Sequence, residues 1–295
     1  MSLDFDPKVL EAVSQLRIRA KRNVATLATG NYRSAFRGSG MQFKEFRHYE
    51  PGDDIRHMSW TVTARTGKPT IKTYEEEREL NVILMIDISG SSLFGLGKST
   101  KLDMCAELVS VIGLAALDAG DKLGMLFFSD QPGLYVPPRR SREQLGTMLT
   151  HLLSQTKLGN QSDLRPALGF LSQVLKQKSI IIVLSDFWLP GFEEAFVPLS
   201  ERHETILVHC FDDAERGNLP DGVLEAWNPE TEQPFLVDAS SPQLRKQLAE
   251  RHTTLINDLE QLSHRTRSDY LCLSKQDEYL KRLISFFRYR GPSRI

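Results

Sequence analysis

The 295-residue sequence lacks several things, and each absence narrows its reading. No apolar run approaches the roughly 18–20 residues needed to cross a bilayer, and Met1 to Pro7 have no signal-peptide shape. The chain is therefore expected in the cytoplasm. Cysteine is scarce: Cys105, Cys210 and Cys272 stand far apart in apolar surroundings. They match no zinc or redox spacing and read as buried free thiols of a reducing compartment. An excess of one charge is missing too, with a formal net charge of -1, so there is no nucleic-acid footprint and no acidic tail. Internal repeats, low-complexity tracts and an obvious linker are absent. No G-x-S-x-G setting occurs, and the seven histidines form no H-E-x-x-H or H-x-H pair. Catalysis has little support on these grounds. His48 and His57 read as surface or hydrogen-bonded residues.

The composition that remains, 40% hydrophobic and 25% charged, is ordinary for a globular chain. Its length allows one large domain with additions, or two small ones. The central stretch is Asn81-Val82-Ile83-Leu84-Met85-Ile86-Asp87-Ile88-Ser89-Gly90-Ser91. Val82 to Ile86 run without a polar break, which suits a strand buried on both faces. Asp87, Ser89 and Ser91 follow at alternate positions and can turn toward one point above the strand's end. In open parallel sheets, ligands bind outside the carboxyl ends of the strands.

Before this stretch, Asp6-Pro7 has the form of a helix start. Val9, Leu10, Val13 and Leu16 keep helical spacing, and Gly30 is the expected stop. Arg17, Arg19, Lys21 and Arg22 make the second half basic, as a solvated face or a docking surface. Arg37 to Glu79 mixes aromatic and charged residues. Paired opposite charges there are expected to hold an irregular segment against a domain. A partner-binding role for Arg47, Asp53, Asp54, Arg56, Trp60 and Arg65 is the alternative. Glu50-Pro51-Gly52-Asp53 suits a type II turn, and Thr70 to Tyr74 alternates like an edge strand.

From Asn81 onward, strands alternate with helices, which argues for an α/β fold with a doubly wound, mainly parallel sheet. Helices are expected at Lys101–Leu117, Ser141–Leu153, Leu164–Leu175, Phe192–Ser200, Pro242–Arg267 and Asp277–Arg288. Strands are expected at Lys122–Ser129, Ser179–Asp186, Thr205–Phe211 and Tyr270–Leu273, with a short edge strand at Gly133–Val136. Leu224–Trp227 and Pro234–Val237 flank a hairpin. The last helix is amphipathic, with Lys281, Arg282 and Arg288 beside Leu280, Leu283, Ile284 and Phe287, and is expected to pack on its own domain rather than on a membrane. Residues 1–80 are expected to pack as a helix and extension on a main domain at 81–295.

Two chemistries compete at the strand ends. Ser92-Leu93-Phe94-Gly95-Leu96-Gly97-Lys98-Ser99 comes close to the P-loop pattern G-x-x-x-x-G-K-[ST], with Asp186 as the strand-end carboxylate. Against it, Ser92 replaces the first glycine. The strand also ends near Ile86, and Asp87 would repel phosphate. The other reading is a metal site. Asp87, Ser89 and Ser91 come from one loop, Ser162 precedes a helix, and Asp186 ends the second apolar strand. Two carboxylates and three hydroxyls are hard oxygen ligands of the kind Mg2+ takes, and water or a partner's carboxylate must complete the octahedron. The plainer account is that Ser89, Ser91 and Ser162 cap helices and turns.

Asp87-Ile88-Ser89-Gly90-Ser91, Ser162 and Asp186 resemble the metal-ion-dependent adhesion site of von Willebrand factor type A domains. A larger set resembles the bacterial domain-of-unknown-function fifty-eight family: Arg37-Gly38-Ser39-Gly40, Phe46-Arg47-His48-Tyr49, Pro51 to Arg56, Trp60, Ala64-Arg65, Glu75 to Glu79, Pro137 to Arg140 and Ser185-Asp186-Phe187. This resemblance runs from about Arg37 to about Val237. It implies a von Willebrand A-like, Rossmann-type fold and a bound Mg2+ or Mn2+. The implied role is adaptor or co-chaperone of a MoxR-type AAA+ ATPase, acting on an unknown client, and not that of an enzyme. Many relatives carry N-terminal membrane helices, and this chain resembles a soluble, short member. Ser162 stands where the family usually has Thr; the hydroxyl is kept and the stiff branched side chain is not.

Overall fold

A computed structural model of the chain describes residues 11, 13–15, 17, 19–21, 41–76, 79–96, 99–154, 162–189, 191–228 and 233–290. The expected start and stop of the N-terminal helix lie outside those residues. Glu11, Val13 to Gln15, Arg17 and Arg19 to Lys21 are helical.

The core is a six-stranded sheet. Its strands are β3 (Asn81–Asp87), β4 (Lys122–Phe128), β5 (Pro132–Arg139), β6 (Ser179–Ser185), β7 (Glu204–Phe211) and β10 (Asp269–Ser274), in the order β10-β7-β6-β3-β4-β5. All neighbours are parallel except β5, which runs antiparallel to β4 at the edge. Helices α2 (Lys101–Ala119), α3 (Arg142–Leu153) and α7 (Tyr279–Tyr289) share one core cluster with Val82, Leu84 and Ile86. The other face packs Ile83 and Met85 against α4 (Leu164–Val174), α5 (Glu193–Arg202) and α6 (Pro242–Thr266). The two-residue period of β3 thus feeds both layers. Val82 to Ile86 are 0% exposed, so truncating any of Ile83, Leu84, Met85 or Ile86 to Ala should cost about 2–5 kcal/mol. Leu283 and Phe287 of α7 are buried in the first cluster, so that helix packs on its own domain.

Chain order fixes where a ligand can sit. From β3 the chain steps to β4 and β5 on one side, then returns to β6 on the other side of β3. The reversal lies between β3 and β6, the topological switch point at which such sheets open a crevice. The two strands are in register, Ile86 opposite Leu184, so Asp87 and Ser185 end side by side.

Helix α2 begins with a capping box, in which Thr100 and Asp103 satisfy each other's backbone N–H groups. It stops at Gly120, whose φ of 95° admits no Cβ without strain. Outside the core sheet, β8 (Val223–Asn228) and β9 (Gln233–Asp238) form the expected hairpin. The aromatic and charged segment is more regular than expected. Met41–His48 is a strand, β1, antiparallel to β2 (Thr70–Glu76), and a short helix, α1 (Trp60–Thr66), lies between them. Its charges had masked the strand period. Cys105 and Cys210 are buried free thiols, and Cys272 is half-buried. Among the described residues, no helix is long and apolar enough to cross a membrane.

Candidate metal centre

Asp87 ends β3 and is buried, 2% exposed. Its Oδ1 accepts from the Ser89 amide at 2.9 Å, and its Oδ2 accepts from Ser162 Oγ at 3.0 Å and Ser185 Oγ at 2.7 Å. All these donors are neutral, and among the described residues Asp87 has no ion pair. Burial first, and the charge of Asp186 second, push its carboxyl above the usual range. The Ser89 and Ser91 hydroxyls lie 3.1 Å apart.

The hydroxyls are not helix caps. Ser89 precedes the 3-10 turn at Gly90–Leu93, yet its side chain makes no capping bond. Asp163, not Ser162, caps α4, through the Arg165 amide. The oxygens therefore remain available to one another and to an ion. The octahedral shell of Mg2+, with metal–oxygen distances of about 2.0–2.1 Å, has neighbouring ligand oxygens about 3 Å apart. The Ser89–Ser91 and Ser162–Asp87 separations of 3.1 and 3.0 Å match that edge. An uncompensated carboxylate with hydroxyls at this spacing fits a small hard divalent cation.

Asp186 is in a different state. Its Oδ2 accepts from Lys101 Nζ at 2.6 Å, and its Oδ1 accepts from the Trp188 amide at 3.2 Å. Burial pushes this carboxyl up, but the Lys101 ammonium, joined by the Ser91 hydroxyl and the Trp188 amide, holds it below the usual range. Lys101 also donates to Glu215 Oε1 at 2.5 Å, and Glu215 Oε2 accepts from the Trp188 indole at 2.9 Å. For Glu215, burial wins over the same ammonium, and its carboxyl is raised. Phe187, next to Asp186, is buried with a φ of 55°. That left-handed backbone costs an aromatic residue about 1–3 kcal/mol. Its amide bonds to Ser185 Oγ at 3.0 Å, so the strained turn helps hold Ser185 against Asp87.

The P-loop reading meets a physical obstacle. Lys98 lies outside the described residues, but the loop before it is clamped. The Leu96 amide, which a phosphate cradle needs free, donates to Asp212 Oδ2 at 3.0 Å. Lys275 Nζ donates to the carbonyls of Leu96 at 2.9 Å and Ser99 at 2.6 Å, and pairs with Asp212 at 3.0 Å. Gly95 has no room for a Cβ between the Ser99 carbonyl and Lys275.

The six residues weighed as a partner surface split into two groups. Arg47 grips Asp53 through two bonds of 2.9 and 2.6 Å, and Asp53 closes the Glu50 turn by accepting the Glu50 amide at 2.9 Å. Gly52, at φ 111°, supplies the left-handed position of that turn. Arg56 pairs with Asp54 at 2.7 Å and lowers its pKa to about 2. These four spend their charges on each other. Trp60, 68% exposed, and Arg65, also exposed, face solvent instead of packing on a domain.

Lys101, Glu215, Ser185 and Trp188 escaped the sequence reading. Lys101 had a signal, because it opens a mostly apolar helix at the end where a cation is electrostatically wrong. Ser185 had one in its place beside Asp186 at a strand end. Glu215 had none; it sits in the 3-10 turn Asp213–Arg216, and only the sheet order brings that turn to Lys101.

The family model described as "Protein of unknown function DUF58" matches residues 45–255. This chain belongs to the DUF58 family. Two curated relatives, Uncharacterized protein Mb1516 of Mycobacterium bovis and Uncharacterized protein Rv1480 of Mycobacterium tuberculosis, are each 27% identical over 290 residues. Each match covers 97% of the DUF58 chain and 90% of the relative. Among solved structures, conserved hypothetical protein BatB from Bacteroides thetaiotaomicron is similar at a TM-score of 0.46 and 15% identity, covering 70% of this chain and 96% of that one. The SpRpn10 VWA domain is similar at 0.42 and 9%, covering 74% and 100%. The sheet order and its switch point, not these scores, carry the von Willebrand A-like fold.

Proposed function

We propose that this DUF58 protein is a non-catalytic, metal-dependent protein–protein interaction module. Asp87, Ser89, Ser91 and Ser162 would hold Mg2+ or Mn2+, and Asp186 would add charge from beside them. The ion would supply a Lewis-acidic point at the surface of the crevice, completed by water or by a partner's carboxylate. The observation that carries this reading is Asp87: a buried carboxylate with no ion pair among the described residues, accepting from the Ser162 and Ser185 hydroxyls and beside a Ser89–Ser91 hydroxyl pair. The partner we propose is a MoxR-type AAA+ ATPase, with the chain as adaptor or co-chaperone for a client protein, an expectation that follows from the family resemblance.

Calorimetric titration of Mg2+ into wild type and Asp87→Ala tests the site. Binding by wild type alone is expected, and equal heats from both would sink it. Capture by an immobilised MoxR-type ATPase, with and without EDTA, tests the adaptor role; the expected outcome is retention that the chelator abolishes. A metal-independent scaffold is the second reading, favoured by the Lys101 ammonium already placed on Asp186. It predicts capture that EDTA leaves unchanged.

A further inference from the structure

One buried cation at this crevice has no role in the metal reading above. Lys101 is the first residue of α2, and its side chain is 4% exposed. A helix N-terminus carries partial positive charge, so an ammonium is disfavoured there. Burying it is strongly unfavourable unless it is well paired. Packing gives no reason for the charge, because the other buried residues of α2 are apolar apart from Ser110. The pairing does: Asp186 Oδ2 at 2.6 Å and Glu215 Oε1 at 2.5 Å. Glu215 is braced from behind by the Trp188 indole, whose ring Arg251 covers at 5.4 Å. The ammonium also lies over the Phe94 ring at 5.7 Å. Lys101 is thus held in place from several elements and stands beside the carboxylate that a divalent ion would draw on.

We infer that Lys101 is a resident counter-cation: it keeps the centre folded without a divalent ion and lowers the centre's affinity for one, so that ion and partner carboxylate bind together. The inference rests on the metal reading and adds its regulation. Two cations compete for one carboxylate, and like charges at this range in a poorly screened interior repel strongly. A partner's carboxylate adds the missing negative charge. The ion then raises affinity for the partner, and the partner raises affinity for the ion by the same factor.

The test is calorimetric titration of Mn2+ into wild type, Lys101→Met, Lys101→Arg and Glu215→Gln, each checked for folding by circular dichroism. Lys101→Met is expected to bind Mn2+ at least tenfold more tightly than wild type. Its melting temperature should also rise further on adding Mn2+. Lys101→Arg keeps the charge and should stay within threefold of wild type. Glu215→Gln leaves the ammonium wholly to Asp186 and should bind at least threefold more weakly. If Lys101→Met folds only with Mn2+ present, that dependence itself supports a counter-cation role. A folded Lys101→Met with affinity no higher than wild type, or an unchanged Glu215→Gln, would overturn the inference. Binding by none of the four chains would remove the metal reading as well, whereas equal binding by all four would remove only the role of Lys101.

Discussion

The ends of β3 and β6 are neighbours in one sheet, in register, and each follows an apolar run with a buried carboxylate. Electrostatically they are opposites. Asp87 is surrounded by an amide and hydroxyls, and burial raises its carboxyl. Asp186 is buried too, but Lys101, with help from the Ser91 hydroxyl and the Trp188 amide, reverses the direction. A strand-end carboxylate is therefore not a metal ligand by position alone. Whether it awaits a cation depends on whether the fold has already supplied one.

The largest test removes that supplied cation. Lys101→Ala leaves Asp186 and Glu215 buried without a counter-charge, and should lower stability by about 3–5 kcal/mol in urea denaturation. A loss below about 1 kcal/mol would mean that water already screens the β6 end, and the contrast with Asp87 would fall.

A smaller effect comes from pH, and it extends the contrast to the end of β7. His209 is buried opposite Ser185, and burial first, then His252, lowers its pKa to about 3. His203 is lowered to about 4, again chiefly by burial. The unfolded chain binds these protons near pH 6.5 and the folded chain does not, so their contribution is fully present above about pH 6.5. It is lost as pH falls toward 4 and 3, by at most about 1.4 kcal/mol per pH unit for each histidine. Asp87 works the other way, because its raised carboxyl is a cost at neutral pH that protonation relieves. Denaturation at pH 7.5 and 5.0 should show lower stability at pH 5.0, with a smaller difference in His209→Gln. A difference unchanged by that substitution would assign the acid loss elsewhere.

The smallest effect concerns the Asp87 side alone. Ser162→Thr keeps the hydroxyl and places it on a side chain with a stiff χ1. Mn2+ affinity measured by calorimetry should rise by about two- to threefold, since less rotamer freedom is lost on binding. Equal or weaker binding would show that the Ser162 hydroxyl is already fixed by its bond to Asp87.

The apolar run from Val82 to Ile86, the strand-ending Asp87 and Asp186, and the alternation of strands with long helices were all legible, because each is a local pattern with a period. Strand β1 was not, since Lys44, Glu45 and Arg47 interrupt its alternation and its partner β2 lies beyond the Trp60 helix. Trp60 stands exposed; no periodicity reports which side of so short a helix finds a partner.

From its sequence alone, this protein was bound to form a buried parallel sheet with oxygen-bearing residues at its carboxyl ends, because burial and alternation are written residue by residue. The tertiary structure decided which of those oxygens lack a cation. Lys101 lies 85 residues from Asp186 and 114 from Glu215 along the chain. Only the return of the chain from β5 to β6, across the switch point, brings them within a hydrogen bond. Charge balance in a buried site depends on distance in space, and that distance is set by the sheet order.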